Sequence, residues 1–310
     1  MLSKKQMRWL IRAVYDASDE YGREIERLYR RANRQIKGEI STFLSSKANW
    51  SGKVSKDDLE DVRAELEESN DDTVSSLCSA LLASVTLGHP KQGDVETARL
   101  ALPLIRVAKI QHRQIYQLSQ EVPSQIVAAS YQQNRVTPKV HRLPINYDVM
   151  LQRQVSDSVR QNVQDTTNIN RNIQQSISRI RDIAQQASQA NDASNDWAKQ
   201  VDRVLTGGKA HGGASARAKM IVRTQACHEL NKGTIEDFRA RGVKQYRFMS
   251  LESRNSCREC NHLDGNVYEV ADAEEGVNLP PMHPNCQCWI IEYHSTDFGT
   301  GSSLPITKDS

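Results

Sequence analysis

Apolar residues recur at steps of three and four through most of this 310-residue chain. Between residues 4 and 44 the positions Met7, Leu10, Ile11, Val14, Tyr21, Ile25, Leu28, Ala32, Ile36, Ile40 and Phe43 form one stripe, the pattern of a long amphipathic helix. At 1.5 Å per residue it would extend for about 60 Å if unbroken. Trp50-Ser-Gly interrupts it, and Ser55-Lys-Asp-Asp then supplies an N-cap with first-turn carboxylates for a helix through Leu59, Val62 and Leu66. Residues 73–87 predict a more apolar helix through Val74, Leu77, Leu81, Leu82 and Val85, ended at Gly88-His-Pro90. A further helix is expected from Val95 to Ser119. Pro123, Pro138 and Pro144 make 120–146 an irregular connector.

The segment 147–205 is rich in Gln, Asn, Ser and Asp, yet keeps a helical period. Leu151, Val155, Val159, Val163, Thr166, Ile169, Ile173, Ile177, Ile180, Ala184 and Ala187 form a narrow apolar seam. A polar helix with one such seam packs along a neighbour, within the chain or between copies. Thr206-Gly-Gly-Lys-Ala-His-Gly-Gly213 reads as a flexible hinge and a domain boundary. Beyond it, Ala214–Arg241 predicts a helix that Gly242 caps. Strands are expected at 244–251, 266–270 and 289–293, with a turn at Asp264-Gly265.

These elements predict a mainly α protein. An elongated helical region, 1–206, precedes a hinge at 207–213, a small α+β domain at 214–293 and a flexible tail at 294–310. The length agrees with about two domains. A hydrophobic fraction of 38% with 5% aromatics predicts a thin core along elongated elements. The 41 basic and 38 acidic residues leave a net charge of +3, so bulk charge makes no strong case for nucleic acid. No apolar run reaches the ~20 residues of a membrane span, and charges resume at Arg12 and Asp16, before any signal-peptide core could form.

Cysteine placement changes the picture. Cys78 and Cys227 lie in helical segments, whereas Cys257 and Cys260 form a CxxC pair in Asn255-Ser-Cys-Arg-Glu-Cys. His283, Cys286 and Cys288 follow in Pro280-Pro-Met-His-Pro-Asn-Cys-Gln-Cys288. Two chelating clusters across a short loop suit tetrahedral zinc better than a disulfide framework, and imply a reducing compartment. Cys257 and Cys260 are the firmest pair. Two of His283, Cys286 and Cys288 complete the site: His283 with Cys286 is favoured, Cys286 with Cys288 is the rival, and His262 is a sixth candidate. Glu252, Glu259 and Asp264 lie nearby. The excess of thiolates points to a closed structural zinc, and the deaminase order of histidine, glutamate and later cysteines is not met. No enzymatic activity is therefore expected. A unit of under ninety residues with short strands has little core, and a structural metal would stabilise it.

His211 in the hinge and the neighbours Cys227 and His228 read as surface or boundary residues. Arg217, Lys219, Arg223, Lys232, Arg239 and Arg241 are candidate phosphate partners, although Glu229, Glu236 and Asp237 share their helix and suggest a solvated face of mixed charge.

Read in order, Arg223-Thr-Gln, Asn231-Lys-Gly, Arg241-Gly-Val-Lys, Cys257-Arg-Glu-Cys, Leu263-Asp-Gly and the Pro280–Cys288 cluster resemble the C-terminal domain of tailed-bacteriophage head-morphogenesis proteins, the Mu F-like minor head proteins. The chain differs from that pattern at Gln225, where the family carries an acid, and at Tyr246, Phe248, Glu252 and Gln287. The resemblance implies a virion component, made in the host cytoplasm and present in several copies per phage head. Its implied partners are the portal protein, the major capsid protein or both, with phage DNA a further contact. Its implied roles are head assembly and DNA packaging, retention or exit. No appended toxin domain is expected after Cys288. The long helices before the hinge would suit attachment to portal or capsid.

Overall fold

The computed structural model describes residues 4–135, 147–190, 196–207, 212–250 and 257–294, with side chains left aside at 4–9, 124, 127–135 and 147–163. Expectations resting on Met7, Pro138, Pro144, Leu151, Val155, Val159, Val163, His211, Glu252 and the tail 295–310 lie outside the described residues.

Among the described residues eight α-helices and three strands follow one another: α1 (Lys4–Ser45), α2 (Lys56–Ser69), α3 (Ser75–Thr86), α4 (Gln92–Arg135), α5 (Tyr147–Ala190), α6 (Asp196–Leu205), α7 (Gly213–Arg241), β1 (Gln245–Met249), α8 (Arg258–Leu263), β2 (Val267–Glu269) and β3 (Trp289–Tyr293). The fold is mainly helical, with a small C-terminal sheet.

The stripe on α1 is buried as its period predicts, from Leu10 and Val14 through Ile25, Tyr29, Ile36 and Ile40 to Phe43. Phe43 ends against Trp50, edge to face at 5.4 Å between ring centroids. Trp50 in turn sets the start of α4. Its carbonyl accepts from the Gly93 amide at 2.8 Å, and a Cβ at position 93 would lie 2.2 Å from the indole nitrogen. Only glycine allows this approach. Ser55 caps α2 as expected, its side chain accepting from the Asp58 amide at 3.0 Å.

Helix α4 departs from expectation by continuing through Pro123 to Arg135 rather than dissolving into a connector after Ser119. A proline inside a helix removes one backbone hydrogen bond, but Val122 and Ile126 on either side of Pro123 are buried and hold the helix against its neighbours. The same helix already accommodates Pro103.

Helices α1, α4, α5 and α7 form the bundle. Neighbours α1–α4, α4–α5, α5–α7 and α7–α1 all pack, and α4 meets α7 across the centre. Accordingly α7 is buried nearly all round, including Gln225, Glu229, Glu236 and Asp237, which the sequence suggests as part of a solvated face. Buried amides tie the helices together. Asn172 donates to the Ala214 carbonyl (3.0 Å) and the Tyr29 hydroxyl (3.2 Å), and Gln111 donates to the Ala218 carbonyl (3.2 Å). One continuous hydrophobic cluster runs from Leu10 through α4, α5 and α7 to Cys288, so the helices before the glycine-rich segment and the helix after it share a core. At that segment Gly207 and Gly213 adopt left-handed φ values of 82° and 75°. A Cβ on Gly207 would fall 2.2 Å from the Gly212 backbone.

Gly242, at φ 73°, caps α7 and turns the chain into β1. The antiparallel sheet has the order β2-β1-β3. Tyr246 and Phe248 alternate inward on β1. Tyr246 joins Ile235, Phe238, Val243, Val270, Leu279 and Ile290 in a second, smaller core between the sheet and the C-terminal half of α7. The sheet and α7 together carry the two cysteine loops.

Candidate metal centre

Cys257 stands at the N-cap of α8, a helix absent from the sequence expectations, and its sulfur accepts from the Cys260 amide at 3.2 Å. That turn brings both CxxC sulfurs to one side. Facing them, the second loop bends at Asn285 (φ 68°), with the Cys286 amide bonded to the His283 carbonyl at 3.1 Å. Asn285 is also held from α7, its amide donating to the Thr224 hydroxyl at 2.8 Å.

The result is a convergence of donors. His283 Nε2 lies 3.0 Å from Cys257 Sγ and 3.3 Å from Cys260 Sγ, and Cys260 Sγ lies 3.9 Å from Cys286 Sγ. The ligand atoms form two groups that share Cys260: Cys257, Cys260 and His283, and Cys260, Cys286 and Cys288. Five of the six sequence candidates are thus brought together. In a tetrahedron with metal–sulfur bonds near 2.3 Å, sulfurs stand about 3.8 Å apart, so the Cys260–Cys286 edge already has metal-site dimensions. His283 Nδ1 is engaged at 2.9 Å with the Pro284 carbonyl. That contact places the proton on Nδ1 and leaves the Nε2 lone pair facing the sulfurs, as a ligating histidine requires. The donor set fits a metal ion.

The electrostatics of the cluster are those of crowded thiols. Burial would raise the Cys257 thiol, but the Cys260 amide and the His283 ring outweigh it and bring the thiol below its ordinary range. Cys260 is pushed up, by burial first and then by the neighbouring Cys257 and Cys286 sulfurs. Cys286 is pulled down by hydrogen bonds from Cys227 and Cys288, while Cys288 is pushed up by its bond to Cys286 and by burial. Such thiolates oppose one another unless a cation lies among them.

Two residues at the site escaped the sequence. Cys227 is fully buried on α7 behind the cluster, donating to the Cys288 carbonyl at 3.5 Å, and not at a surface or boundary. Its neighbour His228 is also buried and pairs with Glu275 at 2.7 Å. Tyr15, from the first helix, donates to that same Cys288 carbonyl at 3.1 Å, and Asn231 donates to it at 3.0 Å. The only sequence signal for Cys227 was that free cysteine is among the most buried residue types. For Tyr15 there was none.

The proposed phosphate partners on α7 are not gathered into one patch. Lys219 pairs with Glu26 and Arg223 with Asp19, both across to α1. Arg217 donates to Asn172 at 2.7 Å, Arg239 pairs with Glu236, and Arg241 bridges Asp237 and Glu292 at 2.8 Å each. Lys232 also has a partner within the chain. Among the described residues no helix is long and apolar enough to cross a membrane.

No curated protein and no solved structure matches the chain. Residues 153–291 match the family model described as Phage Mu protein F like protein. The matched region begins on α5, well before the Arg223–Cys288 motifs, and takes in α5, α6 and α7 as well as the sheet and the cysteine loops. The C-terminal region is thus similar to Phage Mu protein F like protein over 153–291, in agreement with the resemblance that its ordered motifs carry.

Proposed function

We propose that the chain is a minor head protein of a tailed phage. In this reading it is made in the host cytoplasm, joins the assembling head in several copies, and sits against the portal or the capsid interior. There it assists head assembly and DNA packaging or exit. The observation that carries the reading is the family match over 153–291, which covers the metal loops and the helices that support them.

The cysteine centre is a structural zinc site in this reading, with Cys257, Cys260, His283 and Cys286 as ligands and Cys288 in reserve beside them. Zinc suits a set of thiolates with one imidazole. A thiolate-rich, largely buried set favours a closed site over one that keeps a water for catalysis, and a non-enzymatic role is the corresponding proposal. The metal would clamp the α8 loop to the Pro280–Cys288 loop beside the middle of α7, where Thr224, Cys227 and Asn231 meet that loop.

Attachment is assigned to the helical region 1–206, whose long surfaces are available along the bundle. A DNA contact through the α7 cations has less support, because these side chains are engaged within the chain. The test is localisation of the full-length chain in purified phage heads by cryo-electron microscopy and immunogold labelling. Density or label at the portal vertex or the inner shell is expected. Heads that are complete without the chain would sink the proposal.

A further inference from the structure

The middle of α1 carries a row of arginines of which the fold pairs only one, Arg30 with Glu26. Arg23, Arg27, Arg30 and Arg34 stand at i, i+4, i+7 and i+11, all exposed, with Arg31 alongside. Steps of four and three place them on one side of the helix, over about 16 Å of its axis. Across the α1–α4 groove, Arg106 flanks Arg31 over a floor of Leu28, Ala32 and Val107.

Nearby acids neutralise this row only in part: Arg30 pairs with Glu26, and the exposed Glu20 precedes Arg23 by one turn. Glu26 is held by Lys219 from α7 and by Arg30, and Glu24 accepts from Gln114 at 2.6 Å. Lys37 is taken by Asp202. Arg23, Arg27, Arg31, Arg34 and Arg106 make no ion pair among the described residues. Worse for the isolated helix, Arg23–Arg27, Arg27–Arg31 and Arg30–Arg34 are like-charge pairs at i, i+4, a spacing at which such pairs oppose the helix. An ordinary solvated face alternates charges. This one sets five arginines between residues 23 and 34 against Glu24 and Glu26 alone, and the fold pairs only Arg30 of the five, an excess of one sign that is the mark of a surface shaped by something outside the chain.

We propose that this arginine stripe on α1, with Arg106 from α4, is a contact surface for the phosphate backbone of nucleic acid. Guanidinium groups meet phosphate oxygens in two-pronged geometry, and a row of them binds a polyanion without reading sequence. An acidic protein would share the charge, but protein interfaces are anchored by buried aromatic or large apolar groups. The stripe presents none: the large hydrophobics exposed among the described residues are Leu87, Tyr116, Val267 and Val277, all on other elements or distant turns of α4. The inference rests on α1 and α4 and is independent of the metal centre.

The experiment is fluorescence anisotropy with a labelled 30-base-pair duplex and the full-length, metal-loaded chain over a salt series. Wild-type protein should bind at low salt and weaken linearly on a log–log plot. The triple variant Arg27→Gln, Arg31→Gln, Arg34→Gln should bind at least tenfold more weakly, and its salt slope should fall by roughly 2–3, near 0.9 for each lost phosphate contact. Gln keeps the helix propensity of Arg, and circular dichroism verifies the fold; the single variant Arg31→Gln should lower the slope by about 1. A charge-matched triple variant at the exposed Lys53, Lys56 and Lys91, each changed to Gln, should retain the wild-type slope. Absence of salt-sensitive binding by the wild type, or equal loss in the two triple variants, would overturn the proposal. So would displacement of DNA by poly-glutamate at matched charge with greater affinity for the polypeptide, which would assign the stripe to an acidic protein.

Discussion

The hydroxyl of Tyr15 donates to the carbonyl of Cys288 at 3.1 Å, joining the first helix to the last cysteine across 273 positions of sequence. The bond is buried, and the same carbonyl accepts from Asn231 and Cys227. The second cysteine loop is therefore fixed by α1 and α7, independently of any ion at its sulfurs. Replacing Tyr15 with Phe should lower stability by about 1 kcal/mol, the net worth of one hydrogen bond. It should also hasten loss of metal to a chelator, followed with a colorimetric zinc indicator. Unchanged release kinetics would show that the loop is held by its other contacts alone.

Elemental analysis of the purified chain should find about one zinc per molecule. Cys257→Ser with Cys260→Ser should abolish it, because each of the two donor groups contains one of these residues or both. Loss of the ion leaves crowded buried thiols, so the sheet and the cysteine loops should gain amide exchange while the bundle around α4 stays protected. A metal-free but fully stable preparation would refute the assignment.

Arg241 is a largely buried cation, its side chain 15% exposed, between the carboxylates of Asp237 and Glu292, whose side chains are 6% and 10% exposed. Removing one member of such a group leaves charges without a partner. Arg241→Ala should therefore cost about 3–5 kcal/mol, measured by urea denaturation. Arg239→Ala, more exposed and with a single partner, should cost far less.

Burial, with Glu39 adding to it, pushes the Glu96 carboxyl up to about 7, and one of its oxygens has no hydrogen-bond partner. The ordinary value is 4.5. A carboxyl whose folded value is raised binds more protons in the folded state between these two values. Stability should therefore fall as pH rises from about 4.5 to about 7 and level off above it. Glu96→Gln should remove that dependence and raise stability at pH 8 by about 2 kcal/mol. Denaturation midpoints at pH 5 and pH 8 decide it, and a variant that keeps the wild-type pH profile would exclude Glu96 as the source.

At Gly93 a methyl group would strike the Trp50 ring. Gly93→Ala should lower stability by about 3 kcal/mol, toward the upper end of overpacking costs, even though alanine favours a helix. Gly38, which has open space around it, supplies the control: Gly38→Ala should stabilise by about 0.5–1 kcal/mol.

Local pattern was enough for α1, α2, α3 and the cap at Gly242, because periodicity and capping are written in residues a few positions apart. It was enough to pick Cys257, Cys260, His283, Cys286 and Cys288, because chelating pairs have short spacings. It misjudged the length of α4. Pro123 is a local breaker, and the burial of Val122 and Ile126 that offsets it comes from other helices. It also misread α7, whose Gln225, Glu229, Glu236 and Asp237 look like a solvent face until α1, α4 and α5 surround them. Short α8 was invisible, since a six-residue helix has no period to detect.

What the sequence by itself determined is the helical character, the strands beside the cysteine loops, the set of candidate donor atoms and the resemblance of the C-terminal region to the phage family. What only the tertiary structure decided is how these parts share one core. It placed α7 at the centre of the bundle, engaged its cations with carboxylates of α1, α7 and β3, and set Tyr15 and Cys227 behind the cysteine loops. It also left Arg23, Arg27, Arg31 and Arg34 of α1 facing outward with no carboxylate partner among the described residues, Arg30 alone pairing with Glu26. The reason is physical: helix period and chelate spacing are short-range properties, whereas burial and charge pairing depend on which distant segments meet.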